Sequence, residues 1–209
     1  VSKFSHCTFR SLSALIPLPH VLLASQSPYR RELLSRLLAD FETFAPRADE
    51  SRQPGEPPRA LALRLARLKA SAGKTHRPRA LIIGSDQVAA LGDETLGKPG
   101  TAERAVEQLL RCSGQLVEFH TAVWVEGPGA TAGVSHVDTT RVRFRPLTRP
   151  EAESYVAADQ PLDCAGSFKA ERRGVLLLES IDSQDPTAIQ GLPLIWLGRN
   201  LLRLGVPLL

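Results

Sequence analysis

Apolar positions in this chain fall into two patterns. Short unbroken runs, Val21–Ala24 and residues 81–83, are bounded by polar or turn-forming residues, the signature of strands buried on both faces. Other segments repeat at helical spacing. Residues 30–38 set Leu33, Leu34, Leu37 and Leu38 on one side, and residues 59–72 set Leu61, Leu65 and Leu68 at i, i+4 and i+7. A second strand is expected at 41–44, and a polar, proline-rich loop carrying Asp49 and Glu50 runs from Pro46 to Pro58. Residues 91–96 read as a hairpin tip. Thr101 is placed to cap a helix that reaches Cys112, with Arg104 where a capping-box acid would stand and Gly114 as the stop. Residues 116–125 and Val134–Phe144 flank a Gly/Pro-rich turn and predict a long hairpin. In its second arm, Val142 and Phe144 alternate with Arg141, Arg143 and Arg145, giving one core face and one basic face. A helix over 148–158 with Pro150 in its first turn, a buried strand at 175–178 and a closing helix at 192–204 complete the reading. The expected class is α/β, with a mixed central sheet and flanking helices.

Polar clusters are expected where strands end: Ser25-Gln26-Ser27 with Arg30, then Ser85-Asp86-Gln87, then Gly97-Lys98-Pro99. In α/β sheets ligands bind beyond strand ends, and a strand-to-helix turn presents free backbone N–H groups. Two hydroxyls and a guanidinium at such a turn make a phosphate cradle, although Ser27 as a plain helix cap accounts for the same residues. Asp86 sits directly after an apolar run, where a buried carboxylate must be hydrogen-bonded, paired or metal-bound.

Composition removes several classes. The chain has 209 residues, enough for one sizeable domain or two small lobes sharing a cleft. Its formal net charge is +4, which suits an anionic partner, yet there is no long basic block and aromatic residues make up only 5%. No stable nucleic-acid partner is expected. No apolar run approaches the ~18 residues of a membrane span. The three cysteines have no CxxC spacing, the five histidines no zinc-type spacing, and Walker A, GxGxxG and GxSxG motifs are absent. The odd cysteine count suits a reducing compartment, hence a cytoplasmic location. Residues 1–19, with an apolar stretch broken by Pro17 and Pro19, read as a poorly structured N-terminal extension to a domain at 20–209.

Taken in order, the segments LLASQSPYRRELL (22–34), RLARLKA (64–70), IIGSDQV (82–88), GKP (97–99), SG (113–114), FHTAVWV (119–125), CAGSFKAE (164–171) and GLPL (191–194) resemble the Maf family of nucleoside triphosphate pyrophosphatases. The resemblance covers about residues 20–205. It implies an inosine-triphosphatase-like fold, two lobes around a deep cleft, and commonly a homodimer. The implied reaction is hydrolysis of a nucleoside triphosphate to the monophosphate and pyrophosphate, with a divalent cation, Mg2+ or Mn2+. It implies Asp86 as proton acceptor, substrate-phosphate contacts at Ser25, Ser27, Arg30, Lys69 and Lys98, and metal-site carboxylates at Glu50 and Asp86. Arg31 matches no fixed family position.

Tyr29, Gln87 and Glu171 resemble the subgroup acting on 7-methyl-GTP. The sister subgroup, acting on dTTP and UTP, usually has Arg, Thr and Gln at those positions. A ring such as Tyr29 favours a cationic 7-methylguanine by roughly 0.5–2 kcal/mol, and an ionised Glu171 accepts from its N1–H and amino group. In one departure, Arg172 and Arg173 separate Glu171 from Gly174, where the family has glycine at once. Alternative readings are the dTTP/UTP enzyme and a nucleotide-binding regulator of septum formation without significant turnover.

Overall fold

The computed structural model describes residues 20–128 and 133–208. The expected extension at 1–19 and the turn at 129–132 lie outside the described residues. Among those described, seven strands form one mixed sheet: β1 (Val21–Ala24), β2 (Glu42–Phe44), β3 (Leu81–Leu91), β4 (Glu94–Leu96), β5 (Leu116–Glu126), β6 (Val134–Phe144) and β7 (Leu178–Asp182). The order is β2-β1-β3-β5-β6-β7, with β4 also on β3. β1 pairs in parallel with β2 and β3, and every other pairing is antiparallel. Five α-helices flank the sheet: α1 (Pro28–Ser35), α2 (Pro58–His76), α3 (Ala102–Cys112), α4 (Arg149–Asp159) and α5 (Leu194–Arg203).

Local chemistry sets the boundaries. α1 begins two residues before the expected start, because Pro28 is pre-set for the first helical position and Ser27 Oγ accepts from the Arg30 N–H. α2 likewise begins at Pro58 and continues to His76. At α4 the carboxylate of Glu151 accepts the Thr148 backbone N–H at 2.8 Å, a capping-box contact. The expected buried strand at 175–178 is not there. Residues 173–177 form a short 3-10 turn with Val175 52% and Leu176 66% exposed, and the strand follows as β7. β7 lies at the sheet edge against β6 alone, and of the apolar run only Leu177 and Leu178 pack on the core.

The larger correction concerns β3. Ser85, Asp86 and Gln87 were expected where a strand ends; they lie mid-strand in an 11-residue element. β5 pairs with β3 from Ile82 to Ala90 along one edge. On the opposite edge β1 stops at Ala24, opposite Gly84, and β4 ends at Leu96, opposite Ala89. Residues 85–88 therefore have one unpaired edge, flanked by the carboxyl ends of two strands. The strand-end geometry is supplied by β1 and β4, and β3 runs through it.

Side chains alternate across β3. One face packs on α2, where Leu61 and Leu65 meet Val88, Ala122 and Val137. The other face carries two separate apolar clusters. Leu81 and Ile83 pack with α1 and α5, and Ala89 packs with α3, α4, Phe119 and Phe144. The hairpin of β5 and β6 alternates as expected, with Val142 and Phe144 fully buried and Arg141 and Arg143 exposed.

Candidate active site

A cleft of about 610 Å3 opens at the gap in the β3 edge. Its size suits a small-molecule ligand. Every candidate site residue read from the sequence lines it: Ser25, Ser27, Tyr29 and Arg30 from the β1–α1 turn, Glu50 from the loop before α2, Lys69 from α2, Asp86 and Gln87 from β3, Lys98 after β4, and Glu171.

The β1–α1 turn is an organised anion cradle. Ser25 Oγ accepts the Ser27 N–H at 3.1 Å and lies 3.4 Å from Arg30 Nη1. Ser27 does cap the helix, so the cap and the cradle are one structure. The Arg30 Nε–H donates to the Gly191 carbonyl at 2.9 Å, which turns the rest of the guanidinium to the cleft.

Asp86 projects from the opposite face of β3 to Ser85 and Gln87, toward α2. Lys69 Nζ lies 2.6 Å from Asp86 Oδ1 and 2.7 Å from Glu50 Oε1. Both Lys69 and Asp86 are buried, while Glu50 is more than half exposed. Lys69, expected on the phosphates, thus stands between the two carboxylates expected to share a metal. Burial alone would raise the Glu50 carboxyl, but the Lys69 hydrogen bond and charge, with Lys98 and Arg30 beyond, bring it below its ordinary value. Gly84 makes this contact possible. A Cβ there would fall 2.2 Å from the Ala66 carbonyl oxygen and 2.6 Å from the Ala70 nitrogen, so only glycine lets α2 approach β3 this closely.

The donor set fits a divalent cation. Two carboxylate oxygens already converge on one positive charge, and oxygen ligands are what magnesium prefers. Among the described residues no group of three or more His, Cys, Asp or Glu is arranged to hold a metal, so substrate oxygens and water would complete the shell.

At the other end of the cleft, Tyr29 meets Cys164, Asp163 and Glu171. Burial, then the adjacent Cys164, pushes the Tyr29 phenol well above its ordinary value. Burial and then Asp163 push the Cys164 thiol up to about 11, so it is a neutral wall and not a nucleophile. Lys169 Nζ stands 5.8 Å from the Tyr29 ring centroid and donates to the carbonyls of Asp159 and Gln160 at 3.1 Å, at the end of α4. One face of the ring is therefore taken by a buried ammonium. The two arginines after Glu171 are accommodated by a turn in which the Arg172 N–H reaches the Lys169 carbonyl at 3.3 Å. Arg172 keeps a negative φ, and Glu171 remains exposed at the cleft.

Gln87 faces away from Asp86. Its amide nitrogen lies 2.9 Å from Thr121 Oγ1 and 3.0 Å from the carbonyls of both Ala188 and Ile189. Ser85, Thr121, Asp163, Lys169 and Gly191 are the residues that sequence reasoning passed over as site components. GLPL marked Gly191, and φ +113° there explains the glycine, but its carbonyl contacts are visible only once β3 and the 188–191 strap are brought together.

The fold and cleft define an α/β protein with an anion cradle beside a paired-carboxylate centre. Residues 20–204 match the Maf-like protein family, and the chain belongs to that family. A Xanthomonas campestris protein named 7-methyl-GTP pyrophosphatase is 52% identical over 191 residues, covering 91% of this chain and 99% of that protein. A Pseudomonas putida protein of the same name is 54% identical over 188 residues, covering 89% and 97%. In structure the chain resembles the Ham1 protein of Staphylococcus aureus, with a TM-score of 0.52 at 12% identity, covering 88% of this chain and 98% of that one. That likeness shows a shared fold.

Proposed function

We propose that the protein hydrolyses 7-methyl-GTP to 7-methyl-GMP and pyrophosphate, clearing a modified nucleotide. The observation that carries this is the polarity of the cleft. One lining carries an aromatic ring, Tyr29, together with the carboxylates of Asp163 and Glu171, and also the hydroxyls of Ser25 and Ser27, the cations Arg30, Lys69 and Lys98, and Asp86. Relatives more than half identical bear that name.

Arg30, Lys98, Ser25 and Ser27 hold the triphosphate. A water attacks the α-phosphorus, Asp86 accepts its proton, the bond from the α-phosphorus to the bridging oxygen breaks, and pyrophosphate leaves with its charge held by Arg30 and Lys98. Lys69 turns from the carboxylates to the phosphates as substrate enters. Glu50 and Asp86 would hold Mg2+ or Mn2+. That ion, when bound, lowers the barrier by neutralising phosphate charge and making water more nucleophilic. At the base end, Lys169 leaves one face of Tyr29 free, and Asp163 and Glu171 supply negative charge that complements a base methylated at N7.

Parallel kinetics on 7-methyl-GTP, GTP, dTTP and UTP with magnesium test this. The expected result is the highest kcat/KM for 7-methyl-GTP. A preference for dTTP or UTP overturns the base assignment, and no turnover of any of them overturns the reaction. The family resemblance also supports a homodimer, which sedimentation at working concentration tests, and the cysteine pattern supports a cytoplasmic location, which fractionation of cells tests. Among the described residues no helix is long and apolar enough to cross a membrane.

A further inference from the structure

The strap at 188–191 crosses β3 and β5 on the face away from Asp86, between the two apolar clusters of that face. Three of its four carbonyls, those of Ala188, Ile189 and Gly191, are engaged from below or beside. Ala188 accepts from Thr121 Oγ1 at 2.8 Å and from Gln87, Ile189 accepts from Gln87, and Gly191 accepts from two donors at once. Those two donors are the Arg30 Nε–H at 2.9 Å and the Ser85 hydroxyl, whose single proton is shared between this carbonyl at 3.0 Å and the Ala122 carbonyl of β5 at 2.8 Å, so that it ties the strap to the sheet. A carbonyl has two lone pairs, so both are used. Ser85 is fully buried, does not itself line the cleft, and stands next to Asp86 in sequence while facing the other way.

We infer that Ser85 is a positioning residue for the phosphate end of the cleft: it fixes the Gly191 carbonyl, and that carbonyl fixes the guanidinium of Arg30. The inference rests on reading the cleft as a triphosphate site. A guanidinium has a rigid fork of donors, and pinning Nε leaves the remaining N–H groups in one plane toward the cradle of Ser25 and Ser27. An unpinned arginine would have to be ordered by each incoming substrate, at a cost in affinity. The triplet Ser85-Asp86-Gln87 therefore divides its work by strand alternation. The middle residue serves the reacting atoms, and its neighbours hold the strap that orients the anion-binding side.

Three readouts on Ser85→Ala test the link. Inorganic tripolyphosphate carries the charge of the substrate and no base. Its calorimetric affinity should fall about tenfold, the loss expected when one buried hydrogen-bond donor is removed. The kcat/KM values for 7-methyl-GTP, GTP and dTTP should fall by that same factor, leaving base preference unchanged. In the Arg30→Ala background, Ser85→Ala should add no further loss, because the two residues act through one carbonyl. An additive loss, or a loss confined to one base, overturns the inference.

The Arg30 Nε–H resonance of isotope-labelled protein, assigned by its absence from Arg30→Ala, reads the link without any substrate. It should exchange slowly with solvent in the unsubstituted chain and fast in Ser85→Ala; equal exchange in both overturns the inference. Should Ser85→Ala fail to fold, Gly191→Ala attacks the same carbonyl from the strap. Its Cβ would fall 3.4 Å from Arg30 Nε at a φ of +113°, and the same uniform loss is expected. An unsubstituted protein that binds no tripolyphosphate would sink the triphosphate reading, and the resonance would still decide the link.

Discussion

Lys69 carries the most informative side chain in the cleft. It is buried between Asp86 and Glu50, and a buried charge is stable only with partners. Asp86→Asn should abolish pyrophosphate release while leaving the circular dichroism spectrum and melting temperature near those of the unsubstituted chain; unchanged turnover would remove Asp86 as proton acceptor. Lys69→Met leaves two carboxylates facing each other with no cation between them. Stability should drop by about 1–3 kcal/mol in urea titrations without metal, less than for a fully buried pair because Glu50 is half in solvent. Magnesium should raise the melting temperature of this variant more than that of the unsubstituted chain, since an oxygen-seeking cation takes the place the ammonium left. No difference between the two would argue against these carboxylates as the metal site. The sequence placed Lys69 correctly in the cleft and could not say which partner it takes, because that depends on a loop and a helix meeting at one strand.

Among the elements, β3 shows where sequence reading stops. The runs LIIG and SDQV read as a strand and its polar terminus, while the roles expected of Asp86 come from the family resemblance. The register shows one uninterrupted strand whose edge is vacated by β1 and retaken by β4. Nothing local encodes this; it depends on the lengths of two neighbours. The run at 175–178 failed for a related reason. Apolar content predicts burial only where another element arrives to cover it: Leu177 is buried in the cluster of α3 and α4, while Val175 and Leu176 stay exposed. By contrast, β1, the β5–β6 hairpin and α3 were legible because their alternation, helical spacing and caps are local. Gly84 is the element-scale test. Gly84→Ala should cost about 3 kcal/mol or more in urea unfolding, since the added carbon meets backbone atoms that cannot turn aside. Any folded fraction should show depressed turnover, as α2 moves off and Lys69 with it.

At the scale of the whole molecule, stability is linked to pH through a group far from the chemistry. Asp138 on β6 is 3% exposed, and among the described residues its carboxylate takes only the hydroxyls of Thr140 and Ser183, at 3.3 and 3.4 Å. Burial chiefly, and then Asp185, raises its pKa against the opposing pull of these hydroxyls and of His136. An acid whose folded pKa is raised favours folding most below its unfolded value, and that contribution is lost as pH rises through the folded value. Asp138→Asn should therefore stabilise the protein at about pH 7, with the gain disappearing toward about pH 3.5, where both states hold the proton. Urea titrations at both pH values check it, and a loss of stability at neutral pH would contradict it. Asp185 nearby receives the backbone N–H groups of Thr187 and Ile195 at 3.0 and 2.7 Å and anchors the start of α5. The two lobes were legible in outline, yet their junction was not, and it has a mechanical consequence. The same strand that enters the cluster of α1 and α5 leaves through the cluster of α3 and α4, with no flexible joint between. Widening or narrowing the cleft is therefore a torsion of β3 at residues 85–88. Any such torsion falls on the segment that carries Asp86 and Gln87, so the shape of the cleft and the setting of those two side chains are coupled.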